Sequence, residues 1–379
     1  MIKQNFGNRS SCGVSRRSLL HSAAALLSVP FVAKATAAWA QEKLAGSGEV
    51  VVFSNGGSLT EGARRYVFDP FTRATGIKVV DVVTDDSEPQ VRAMFRAGRM
   101  DWDTAFVRAQ NYPAMREAGM FEPIDYNLWD DESIQGVPSY ARRKDAIVVM
   151  STAMVLAYDQ RAFPKGGPQN WVDFWNVKKF PGLRGLYPSH AKFNIVFALI
   201  ADGVPHRDIW PLTDDKVDRA FRKLDEIKPH IAKWWIAGGE APQLLINREY
   251  AISSAYDGRM IGAIGDGAPL KFVWDGAYLG DYWATILKGG PNTANAQKLY
   301  AFLNRAQIAA GWTQGTRSPG PNTNQLKYLP PDLASQVNVN PDNASKAVRE
   351  DSVWIAEKRS DGKTNGDHLQ ERWLAWRAQ

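Results

Sequence analysis

Between residues 49 and 118 the chain alternates apolar runs with amphipathic stretches three times, and this alternation limits the possible folds more than any other feature. "EVVVFSN" (49–55) is a continuous apolar run closing on Gly56-Gly57, the pattern of a strand buried on both faces and its turn. "LTEGARRYVFDPFTRATG" then carries apolar residues at helical spacing and stops at Gly76. "IKVVDVV" (77–83) predicts a second strand, "EPQVRAMFRAGR" a short helix, "WDTAFV" a third strand and "NYPAMREAGM" another helix. Buried strands joined by helical crossovers make a mostly parallel sheet wound with helices, so the chain is α/β.

Further along, "DAIVVMSTAMVLAYD" (145–159) is apolar without helical phase and too long for one strand. It predicts a strand crossing from one lobe to the next. "LRGLY", "EYAISSAYDG" and "LKFVWDG" predict further strands, and "YWATIL" one returning toward the first lobe. "DDKVDRAFRKLDEIKPH" places Val217, Phe221, Leu224 and Ile227 on one helical face. The predicted organisation is two lobes, 48–150 with 283–312 and 156–279 with 318–379. The crossings fall near 151–155, 280–283 and 313–317.

The first forty residues stand apart from this pattern. Arg16 and Arg17 precede "LLHSAAALLSVPFVA", and "AWA" at 38–40 supplies a small-residue cleavage site. This predicts a secretory signal of the twin-arginine type and a periplasmic mature chain. Of the 46 basic residues, Lys3, Arg9, Arg16, Arg17 and Lys34 lie in that segment, which holds no acid; 41 basic and 40 acidic residues remain beyond it. The basic balance therefore belongs to the leader, and nucleic acid and anionic membrane are not expected partners. The one cysteine, Cys12, also leaves with the leader, so no disulfide is expected.

Beyond the leader the histidines are His190, His206, His230 and His368, and their spacing fits no zinc site. No P-loop or G-x-S-x-G elbow is present. No catalytic residue, metal or cofactor is expected. Ligands of wound α/β sheets sit beyond the carboxyl ends of strands. There the sequence offers Asn55, Gly57, Ser58, Arg108, Thr152, Tyr187, Ser189, Tyr256, Asp257 and Arg259. The stretch "WDGAYLGDYWATIL" (274–287) adds Asp281, Tyr282 and Trp283, acids and rings beside an apolar run. Rings bury a solute's carbon skeleton and charges fix its polar ends.

Several stretches together resemble the extracellular solute-binding proteins of ABC importers, in the spermidine/putrescine-binding branch. They are "FDPFTRATGIKVV", "WVDFWNVKKFPGLRGLYPS", "LLINREYAISSAYDGR", "DGAYLGDYWATI", "NTANAQKLYAFLN" and "GTRSPGPNTNQLKYLPPD". The resemblance implies a type II periplasmic binding protein fold, with the ligand cleft between two α/β lobes. It also implies a membrane permease as partner, with ATP hydrolysed by a separate subunit, and the expected state is a monomer. The rival reading is an exported hydrolase or transferase using the same cleft.

The ligand pattern departs from that branch. Where polyamine binders carry acids after the strand matching "LRGLY", this chain reads "PSHAKF", with Pro188, His190 and Lys192. The acid of the second crossing aligns with Tyr282, and the nearest acid is Asp281. Arg108, Arg259 and Arg317 follow strand ends or the cleft-facing turn. A guanidinium pairs bidentately with a carboxylate, whereas a buried ammonium needs one. The expectation is an amino-acid-like zwitterion or carboxylate, with a polyamine as the alternative.

Overall fold

The computed structural model describes residues 43–84 and 86–379. The expected leader, with Arg16, Arg17, Cys12 and the cleavage site, lies outside the described residues, as does the side chain of Ser58. Ten strands are described: β1 Glu49–Ser54, β2 Lys78–Val83, β3 Thr104–Arg108, β4 Phe121–Glu122, β5 Ile147–Asp159, β6 Arg184–Leu186, β7 Ile231–Trp234, β8 Ile252–Tyr256, β9 Leu270–Leu287 and β10 Val348–Arg349. They pair in the order β2-β1-β3-β9-β5-β8-β6-β7, with β4 and β10 also on β9. The β1–β2, β1–β3, β8–β6 and β6–β7 pairs are parallel. The long central strands β5 and β9 are antiparallel to each other and to their flanking neighbours β8 and β3. The sheet is α/β, as the alternation of runs predicts, and it is mixed rather than mostly parallel where β5 and β9 run through it.

Local chemistry sets the helix ends. Asp86 caps the helix Ser87–Arg96 by accepting from the Glu88 N–H, and Gly76 ends the helix Asp69–Thr75 in the left-handed region. Thr213 caps Asp214–Ile227, and Thr364 with Asp367 forms a capping box at Asn365–Arg377.

The apolar residues divide into two large cores. One gathers Val50, Phe53, Phe71, Val107, Ile147–Met150 and Trp283–Leu287 with the helix Thr293–Leu303. The other gathers Ala153–Tyr158, Ala255 and Tyr278 with the helices Ala191–Ala201 and Asp214–Ile227 and with Trp373 of the last helix. Both β5 and β9 run through both cores. Between the cores their burial lapses. Thr152 is the one half-buried residue of β5, and Gly280, Asp281 and Tyr282 are half-buried within an otherwise buried stretch of β9. The register sets Ser151 opposite Asp281, Thr152 opposite Gly280 and Arg108 opposite Tyr282.

"LKFVWDG" and "YWATIL" are one strand of 18 residues rather than two. Its irregularity lies before Gly280: Met154 pairs with Tyr278 and Leu156 with Val273, so four residues of β9 bulge against Val155. Gly276 makes the bulge possible. Its φ is 71°, and a Cβ there would lie 2.8 Å from Trp171 Cδ1. Trp171 Nε1 donates to the Gly276 carbonyl at 2.9 Å, tying the bulge to the second core.

Candidate ligand-binding site

The lapse in burial opens on a small cavity of about 60 Å³. Arg108 reaches it from the end of β3, Thr152 from β5, Tyr256 from the end of β8, and Tyr278, Gly280, Asp281 and Tyr282 from β9. Lys192 and Phe193 enter from the first turn of Ala191–Ala201, and Glu350 from just past β10. Gln110, His190 and Lys192 are shared with a wider hollow of about 690 Å³, which forms the outer mouth. On the inner side Arg108 and Tyr282 are shared with a slot of about 20 Å³ that Asn55 also lines.

Three ion-paired groups surround the cavity. Arg108 Nη1 donates to Glu88 Oε2 at 2.6 Å and Asp86 Oδ2 at 3.1 Å, while Glu88 Oε1 accepts the Arg108 N–H at 2.8 Å. Burial, and then the hydrogen bond shared with Asp86, hold Glu88 above the ordinary carboxylate range despite the Arg108 charge. Burial pushes Asp86 the same way, but that shared bond and the Arg108 charge outweigh it and lower Asp86. In the second group, Asp281 accepts from Ser151 Oγ at 2.6 Å and from Arg349 Nη1 at 2.6 and 2.7 Å. Arg349 also lies over the Tyr140 ring, 4.5 Å from its centroid. In the third, Glu350 Oε2 accepts from Lys192 Nζ and from Tyr278 Oη, each at 2.6 Å, and Lys192 Nζ donates to Gln110 Oε1 at 2.7 Å.

Rings complete the walls. Tyr256 meets Tyr187 edge-on at 5.9 Å, Tyr187 packs on Trp235 at 4.6 Å, and Phe193 stands at 90° to Tyr278. Burial raises the Tyr256, Tyr278 and Tyr282 phenols, so all three stay neutral hydrogen-bonding groups at pH 7. Enclosure by the cleft walls, followed by the Lys192 and Arg108 charges, holds His190 down to about 4, so its imidazole is neutral as well. The cavity thus presents both charge signs and apolar ring faces to whatever enters. Among the described residues no cluster of three or more His, Cys, Asp or Glu could hold a metal ion.

Of the residues singled out from the sequence, Arg108, Thr152, Tyr256, Asp281 and Tyr282 come together on this cavity, with Asn55 in the adjoining slot. Ser189 lies in the outer mouth, and Tyr187 stands behind Tyr256. The others go elsewhere. Trp283 is 3% exposed and stacks on Tyr112 at 5.4 Å beneath the Arg143 guanidinium, on the strand face opposite Tyr282. Asp257 is buried off the cavity lining, accepting from the Ala153 N–H and Asn338 Nδ2, each at 3.0 Å, so it braces β5. Gly57, itself exposed and with φ 54°, starts the helix Gly57–Ala63 and is not on the cavity lining. Arg259 is exposed beside Tyr256 at Gly238 and outside the lining. Arg317 ends the helix Ala306–Thr316 in the left-handed region, where its carbonyl would be 2.9 Å from a Cβ on Gly258.

Asp86 and Glu88 were missed, although they follow the end of β2 and the strand-end rule reaches them. Tyr278 lay within the stretch that drew attention. Arg349 and Glu350 carry no local signal, because a two-residue strand brings them in from far along the chain.

Comparison with known proteins agrees with this architecture. Residues 67–341 match the family model described as bacterial extracellular solute-binding protein. The gamma-aminobutyric acid-binding protein of Pseudomonas aeruginosa is 34% identical over 346 residues, covering 90% of this chain and 94% of that protein. The spermidine/putrescine-binding periplasmic protein of Escherichia coli is 23% identical over 284 residues, covering 73% and 79%. The crystal structure of an ABC transporter substrate-binding protein from Bradyrhizobium japonicum superimposes with a TM-score of 0.77 at 29% identity, over 87% of this chain and 99% of that one. These are type II periplasmic binding proteins, which bind solutes and do not turn them over. A charged, ring-walled cavity between two cores, on a fold matched along most of its length, makes the chain a member of the bacterial extracellular solute-binding proteins, the substrate-binding components of ABC importers.

Proposed function

We propose that the protein captures a short zwitterion, an ω-amino acid of the γ-aminobutyrate type, and delivers it to its permease. One observation carries the reading: a single small cavity is lined by a cation, Arg108, and by a carboxylate, Asp281, whose partner Arg349 lies outside that lining. A carboxylate and an ammonium on one short chain match that arrangement. Size supports it too. At ~10–15 Å³ per water, about 60 Å³ has room for roughly four to six waters. That volume suits a solute of a handful of heavy atoms better than a long polyamine. The P. aeruginosa relative is named for γ-aminobutyrate.

In this reading the two cores are the centres of two lobes, 48–150 with 283–312 and 156–279 with 318–379, which close on the solute. The protein acts as a monomer and leaves the cytoplasm by the twin-arginine route. Asn55, Arg108, Thr152, Tyr256, Asp281 and Tyr282 form the inner wall, with Ser189 and Tyr187 at and behind the mouth.

Calorimetric titration of the mature chain tests the assignment. The panel is γ-aminobutyrate, other ω-amino acids, α-amino acids, putrescine and short dicarboxylates. A dissociation constant near micromolar, about −8 kcal/mol, is expected for the ω-amino acids, with a melting temperature that rises with ligand and no product formed. Heat and stabilisation only with diamines or dicarboxylates would sink the proposal.

A further inference from the structure

We infer that Lys192 is a built-in ammonium that fills the cation-binding corner of the cleft, so the site admits solutes with one ammonium and rejects diamines. This deepens the ω-amino-acid reading and rests on it. The corner has the composition of an ammonium receptor. Lys192 Nζ lies 2.6 Å from Glu350 Oε2 and 2.7 Å from Gln110 Oε1, and 5.7 Å from the ring centroids of both Phe193 and Tyr278. A carboxylate, an amide oxygen and two ring faces are what a free alkylammonium would seek in a partly desolvated site. Here the chain supplies the cation itself, from the first turn of a helix buried along nearly its whole length.

The other carboxylates differ in place. Asp281 meets Arg349, which lies outside the cavity lining, and keeps its own place on that lining for a single ligand ammonium, while Asp86 and Glu88 share Arg108 in the adjoining slot. Three cations therefore face four carboxylates, and Lys192 alone serves Glu350. The Glu350 side chain is 4% exposed and that of Lys192 is 17% exposed. An incoming ammonium would have to displace a tethered one and leave it half-buried without its partner, which costs more than the exchange returns. Without Lys192, two cations would face four carboxylates and Glu350 would lack a counter-charge. A second ligand ammonium could then supply it.

The test is calorimetric titration of putrescine into wild type, Lys192→Met and Lys192→Gln, with γ-aminobutyrate in parallel. Putrescine should bind each variant at least about tenfold more tightly than wild type, and Glu350→Gln added to Lys192→Met should abolish the gain. Unchanged putrescine affinity in variants with native circular dichroism overturns the inference. Wild type alone can also overturn it, by taking putrescine as tightly as it takes any ω-amino acid. The two readings fail separately. γ-Aminobutyrate bound by wild type with no putrescine gain removes only this inference. A putrescine gain in a chain that ignores ω-amino acids removes only the ω-amino-acid assignment.

Discussion

Tyr282 and Trp283 are adjacent on one strand and belong to different parts of the molecule. Tyr282 faces the cavity and Arg108, while Trp283 is buried in the first core, stacked on Tyr112, which itself stacks on Phe121, and covered by Arg143. A period of two separates a ligand wall from a hydrophobic core by one residue. Composition cannot tell these regions apart, since both are aromatic and both sit near an acid. What distinguishes them is which groups were left wet by the packing around them.

The contrast can be broken by substitution. Trp283→Ala should cost about 3–5 kcal/mol of unfolding free energy, read by denaturant titration, while ligand affinity in the folded fraction changes little. A large affinity loss without a stability loss would put Trp283 back on the cleft wall. Asp257 gives the next effect, through pH. Burial pushes its carboxyl up to about 6 from an ordinary 3.8. The folded state therefore binds its proton more tightly than the unfolded state does. The stabilisation this gives is complete below 3.8 and is lost as pH rises through 6. Asp257→Asn removes that dependence. Relative to wild type it should gain on the order of 2–3 kcal/mol between pH 4 and pH 7, seen in paired denaturant curves. Parallel curves at both pH values would show that the group is not so confined.

On the wet side, Arg108→Ala should weaken ω-amino-acid binding by roughly 10–100-fold, about 1.5–3 kcal/mol. Arg259→Ala, the exposed neighbour, should change it by less than about twofold. The sequence argument treats these two arginines alike, and calorimetry on the pair separates position along the chain from position in the cavity. Equal losses would mean that Arg259 swings onto the solute.

The alternation of runs from 49 to 118 was enough to read the wound sheet, and the unbroken apolarity of 145–159 was enough to read β5. Both rest on periodicity, which the chain displays locally. β9 was read as two strands because Asp275, Gly276, Gly280 and Asp281 look like a turn. The bulge and the Trp171 bond that keep it continuous are tertiary facts. In the site, strand ends located Arg108, Tyr256 and Tyr282. Asp257 was misplaced because a bracing acid and a ligand-binding acid at a strand end have the same local signature. Arg349 and Glu350 were invisible, since only the pairing of Val348 with Tyr278 brings them to the cleft.

The two long strands have a mechanical consequence. β5 and β9 stay laddered to each other from Ile147 and Ala284 at one end to Asp159 and Leu270 at the other. Parting the two cores must therefore flex a cross-linked ribbon, in the manner of a leaf spring, because neither strand can slide past its partner without reversing its faces. The ladder is already interrupted between Val148 and Met150 and between Met154 and Leu156, on either side of Thr152. Those two gaps are where we expect the ribbon to yield, and they bracket Thr152 and the cavity-lining Gly280, Asp281 and Tyr282.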